Sequence, residues 1–207
     1  MINIKKIYNH KLCFFAACLL LTACGPDFSK VKEGDLIFNM DHINTSRFFS
    51  KNVCTPDPTC GIILKNGKSL EVFAMDSVAH FITIKEWMSN CEDVTVKRLK
   101  NSEGILTTPI LKKIYKTIHL FENKKNDAAL SWNDSAFYNS ELIWKIYQRS
   151  TGLQMGEPVS YKSLNKQNDG WSEVEMLRKK LKIKDKEEII TPDAILNSEY
   201  LYSVIGD

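Results

Sequence analysis

Ser131-Trp132-Asn133-Asp134, followed after a short gap by Tyr138-Asn139-Ser140-Glu141-Leu142-Ile143-Trp144-Lys145-Ile146-Tyr147-Gln148, is the stretch on which the reading of this chain turns. Leu142, Ile143, Ile146 and Tyr147 recur at the three-to-four-residue spacing that gathers apolar side chains on one face of a helix. Lys145, Gln148 and Arg149 then fall on the outward face. Thr151-Gly152 ends the helix, because glycine accepts the left-handed conformation of a C-terminal cap. Residues 122–134, just before, are polar and irregular.

Working back from that helix, Thr108-Pro109 reads as an N-cap with proline at the first helical position. Ile110, Ile114, Ile118 and Phe121 mark the buried face of the helix that follows. Further upstream the period shortens. Leu36-Ile37-Phe38, Gly61-Ile62-Ile63-Leu64, Leu70-Glu71-Val72-Phe73, residues 78–82 and residues 94–99 read as strands. Asn66-Gly67 between the second and third is a hairpin signal, since that pair tolerates positive φ. A short helix is expected around Trp87, and a loop or short helix around Phe48 and Phe49. Working forward, residues 171–181 predict a third helix, Thr191-Pro192-Asp193 a short fourth, and residues 200–205 an edge strand. The whole is an α+β domain, with an antiparallel sheet first and helices packed on it.

The N-terminus carries a different signal. Lys5, Lys6 and Lys11 form a basic region, and residues 12–21 are apolar but too short to span a bilayer. Leu21-Thr22-Ala23-Cys24 matches a lipobox, in which small residues let a peptidase close over the chain just before the cysteine that takes the lipid. Each buried methylene contributes about 0.8 kcal/mol, so two or three acyl chains anchor durably. Residues 1–23 therefore read as a lipoprotein signal peptide, 24–33 as a lipidated N-terminus and short stalk, and 34–207 as the folded domain. The expected location is the bacterial envelope, facing the periplasm. Gly25, where an Asp would favour inner-membrane retention, leans toward the outer membrane.

Three of the 28 basic residues leave with residues 1–23, which leaves 25 against 25 acidic ones. A mature charge near zero argues against a nucleic-acid partner. Cys54, Cys60 and Cys91 remain in a compartment that favours disulfides. Cys54 and Cys60 bracket the stiff loop Thr55-Pro56-Asp57-Pro58-Thr59, so a bridge between them is expected, with pairing of Cys91 to either left open. No CxxC motif and no Cys/His spacing suggests a metal, and no cofactor is expected. Residues 178–184, rich in Arg and Lys, read as a solvated helix face.

Taken together, Gly34-Asp35-Leu36-Ile37-Phe38, Gly61-Ile62-Ile63, Glu86-Trp87, Val96-Lys97-Arg98, the opening stretch and Thr191-Pro192-Asp193-Ala194-Ile195 resemble the YiiX/YebB-like family. These are circularly permuted NlpC-type papain-like cysteine hydrolases. The resemblance covers nearly all of the mature chain in one order and implies a permuted papain-like fold. In that family a cysteine at the start of the helix is the nucleophile, inside a pattern like Tyr-Cys-Ser-Glu. Helix-end N–H groups and a histidine lower its pKa. The histidine lies just before a pattern like x-Gly-Ile, and a polar residue on the next strand orients it.

Here the resemblance places Asn139 at the nucleophile position, Thr59 at the histidine position, and Ala74, or Met75 with a one-residue slip, at the orienting position. None of these can ionise usefully near neutral pH. The expectation is a catalytically inactive binding or structural lipoprotein whose cleft is lined by Thr59, Ala74 and Asn139. Such a cleft could take a cell-wall peptide, a lipid-like amide or a protein ligand. The alternative is an active amide hydrolase that uses Ser140 or Cys60 with His80. Against it, one residue along a helix turns about 100°, which takes Ser140 away from the site and into a capping role. Strand alternation would likewise send Cys60 to the face opposite Thr59. His42 and His119 have no catalytic context.

Overall fold

The computed structural model describes residues 26–43, 58–164 and 171–206. Its strands are β1 (Leu36–Asn39), β2 (Cys60–Asn66), β3 (Ser69–Met75), β4 (Ala79–Thr83), β5 (Val94–Leu99), the short β6 (Val159–Ser160) and β7 (Glu188–Ile189), and β8 (Leu201–Ile205). Its helices are α1 (Ile84–Ser89), α2 (Ser102–Ile105), α3 (Thr108–Phe121), α4 (Asn139–Thr151), α5 (Trp171–Leu181) and α6 (Pro192–Leu196). Six strands form one antiparallel sheet in the order β4-β3-β2-β1-β5-β8, and β6 pairs with β7 as a separate ribbon. This is the expected α+β arrangement of an antiparallel sheet packed against helices.

The middle strands are apolar at consecutive positions because both faces of the sheet are covered. Leu36, Phe38, Cys60, Ile62, Leu64, Phe73 and Met75 face the layer that contains α3 and α4. Ile37, Ile63, Val72, Ala74, Val94 and Val96 alternate to the other face, under Trp87 of α1. The β2–β3 turn differs by one residue from expectation. Asn66 pairs with Ser69, so the two turn residues are Gly67 and Lys68, and Gly67 alone has positive φ, at 63°. Glycine at the first central position suits a hairpin turn as well as Asn-Gly does.

Three further expectations are corrected by packing. The cap of α3 is Thr107 in extended conformation, not Thr108, so Pro109 is the second helical residue rather than the first. Lys145 is buried rather than outward, because α4 lies beneath α3 and the 127–137 segment as well as on the sheet. The fold also begins before residue 34: Phe28–Lys30 form a single 3-10 turn, Phe28 packs on the α1-side core and Val31 is buried. Arg98 secures this entry. Its Nε and Nη2 each donate to an Asp35 carboxylate oxygen at 2.7 Å, and Nη2 also donates to the Lys30 carbonyl at 2.8 Å. Asp35 accepts from the Lys32 N–H at 2.7 Å. The Gly-Asp and Lys-Arg motifs of the sequence therefore meet as one buried ion pair.

Candidate functional site

The first turn of α4 abuts the start of β2 and the end of β3, and Asn139 is the residue at that junction. Tyr138 is the N-cap in extended conformation, so Asn139 is the first helical residue. Its Oδ1 accepts from Thr59 Oγ1 at 2.9 Å, from the Cys60 N–H at 2.8 Å and from Cys60 Sγ at 3.0 Å. Its Nδ2 donates to the Met75 carbonyl at 3.0 Å. A backbone N–H can only donate and a carbonyl can only accept, so these two partners fix the orientation of the amide. Asn139 is 3% exposed and Thr59 2%. The amide is consumed in tying helix to sheet.

The structure thus joins Asn139 and Thr59, which lie 80 residues apart in sequence, and leaves Ala74 out. Gly61 and Ala74 share the α1 side of the sheet, whereas Met75 faces α4 with Cys60. Thr59, Ala74 and Asn139 therefore do not line one groove. The expectation for Cys60 is also overturned. Thr59 precedes the first residue of β2, so strand alternation does not govern the pair, and both side chains reach Asn139. Among the described residues, Cys60 and Cys91 are free buried thiols. Burial raises the Cys60 thiol far above its ordinary range, opposed by its hydrogen bond with Thr59, so it stays protonated. Cys54 and Cys24 lie outside the described residues.

Ser140 does not cap the helix. Its buried hydroxyl donates to the Ile190 carbonyl at 2.7 Å, tying α4 to the strand that leads into α6. His80 pairs across the sheet with Ala74, on the side away from α4. Its Nδ1 is 3.0 Å from the Val78 carbonyl and 3.6 Å from an Asp76 carboxylate oxygen. The sheet stands between His80 and both Ser140 and Cys60, so the alternative constellation is not assembled. His119 is exposed beside Glu122.

A second cluster, not anticipated from sequence, lies one turn along α4. Lys145 Nζ, almost fully buried, donates to Glu141 Oε1 at 2.6 Å, to the Asn133 carbonyl at 3.0 Å and to Asp134 Oδ1 at 3.2 Å. It also sits 4.7 Å from the centre of the Trp132 ring, which stacks edge-on against Trp144. Burial pushes the Glu141 carboxyl up to about 8, with the hydrogen bond and charge of the Lys145 ammonium pulling the other way. Asp134, shared by Lys145 and Arg149, is held below its ordinary value; burial opposes that shift, and the hydrogen bonds from the two cations outweigh it. The signal for this cluster was present in the sequence as the i, i+4 pair Glu141 and Lys145. Its burial was not. The Trp132-Asn133-Asp134 motif thus works as a clasp over α4.

A family profile described as permuted papain-like amidase enzyme, YaeF/YiiX, C92 family, matches residues 30–205. The uncharacterised protein YiiX of Escherichia coli strain K12 is 25% identical over 189 residues, 90% of this chain and 92% of that protein. The crystal structure of YiiX from Escherichia coli O157:H7 superposes with a TM-score of 0.71 at 24% identity, covering 86% of this chain and 98% of that one. That structure is titled as one of a metalloprotein. Among the described residues here, no group of three or more His, Cys, Asp or Glu side chains is placed to hold a metal ion, so they do not supply such a donor set. The order of strands before helix, the packing of α4 on β2 and β3 and the profile match agree: the chain belongs to the YaeF/YiiX C92 family of permuted papain-like amidases.

Proposed function

We propose that this protein is a lipid-anchored component of the bacterial envelope whose papain-like domain does not hydrolyse amides and acts in structure or binding. The observation that carries this reading is the engagement of the Asn139 amide by Thr59, Cys60 and Met75 at the position that resembles the family's nucleophile. Amide hydrolysis by a papain-like site needs a thiolate to attack the carbonyl and a base to hold its proton. Asn139 has no ionisable group, Thr59 is no base near neutral pH, and the Cys60 thiol is held protonated by burial. Anchorage rests on the basic, apolar and lipobox segments that end at Cys24.

The tight contact between Asn139 and Thr59 favours the structural role. A cell-wall peptide, lipid-like amide or protein segment could reach the cleft only if that contact parted. The test is to assay the purified mature chain on peptidoglycan fragments and acyl amides. No turnover above buffer is expected, and none should appear or vanish in Cys60→Ala or Ser140→Ala. A real activity abolished by either substitution would refute the proposal. Palmitate labelling of the full chain, lost in Cys24→Ala, tests the anchor separately.

A further inference from the structure

We infer that the α1 face of the sheet, around Phe28–Val31, rests against the phospholipid surface, with α3 and α4 turned away from it. This rests on the proposed lipid at Cys24. The chain is fixed to the domain from Phe28 onward. Phe28 packs on the α1-side core, Val31 is 8% exposed, and the Lys30 carbonyl accepts from Arg98. Only four peptide units separate Cys24 from Phe28, a reach of about 14 Å even when fully extended. The lipidated residue therefore cannot be far from the face on which Phe28 lies.

The candidate site and α3 occupy the opposite side. From the α1-side surface, the sheet and the helical layer beyond it add up to roughly 20 Å. The tether is shorter than that distance; α3 comes nearest the entry at Tyr115, whose hydroxyl donates to Glu33, and its outer surface lies farther away. In place of a domain on a ten-residue stalk, the geometry gives a domain seated on the membrane with one orientation. Any partner of the α3–α4 side then approaches from the aqueous compartment rather than from the lipid.

Lysine footprinting tests this with native side chains. Lys30 and Lys85 are exposed on or beside the α1 face, and Lys112, Lys113 and Lys116 are exposed on α3. Mature protein carrying Cys54→Ser is coupled through Cys24 to a maleimide phospholipid in phosphatidylcholine–phosphatidylglycerol vesicles, with Cys60 and Cys91 shielded by burial. Acetylation is read by mass spectrometry with and without vesicles. Lys30 and Lys85 should be acetylated severalfold more slowly on vesicles, and the three α3 lysines at unchanged rates. Protection of the α3 lysines, or equal rates at both sets, overturns the inference. The lipid is attached chemically, so this result stands apart from whether cells lipidate Cys24, which palmitate labelling reports.

Discussion

Asn139→Ala tests whether the residue at the head of α4 is a structural tie. Truncation removes one acceptor used by three donors and one donor used by the Met75 carbonyl, all buried. The Thr59 hydroxyl can turn to another acceptor, and a thiol is a weak donor. The Cys60 N–H and the Met75 carbonyl are fixed in the backbone and cannot. A buried polar group left without a partner costs about 1–3 kcal/mol. The two backbone groups and a residual share for Thr59 share one small cavity and do not add fully, so the total is about 3–5 kcal/mol. For a domain of this size, that corresponds to a fall in Tm on the order of 10 °C. Urea unfolding followed by far-ultraviolet circular dichroism, with the slope checked against wild type, measures it directly. A loss below about 1 kcal/mol, as at a solvated surface position, would mean that the amide is not holding helix to sheet.

Arg98→Met strands the buried Asp35 carboxylate and should cost about 3–5 kcal/mol, whereas adding Asp35→Asn should recover part of the loss; a double variant no better than the single would refute the pairing. Glu141 gives a pH signature. Its folded pKa of about 8 lies above the ordinary 4.5, so its stabilising contribution is full below about pH 4.5 and is lost as pH rises through about 8. Glu141→Gln should flatten the decline of stability across that window, and an unchanged profile would show that the carboxyl is not buried in its neutral form. In a Cys54→Ala background, Cys60 and Cys91, the latter raised to about 11 chiefly by burial, should resist a thiol reagent at pH 8 and react fully in denaturant. Fast native labelling of Cys60 would contradict its place beneath Asn139.

Much of the architecture was legible because the signals are local. The periodicity of Leu142, Ile143, Ile146 and Tyr147 determined a helix. Gly67 determined a hairpin to within one residue, and the apolar runs at 36–38 and 61–64 determined strands. The order of those segments, with the motifs of the opening stretch, was enough to indicate the family. Tertiary structure decided everything that depends on which face meets which. A helix embedded on several sides buries a charge that periodicity assigns outward, which is why Lys145 lies among Glu141, Asp134 and Trp132. Alternation holds only inside a strand, so Thr59, one residue before β2, shares the Asn139 amide with Cys60. Sequence named the residue at the head of the helix. Only the fold, which brings positions 59, 75 and 139 together, shows that its amide is spent on holding the layers together.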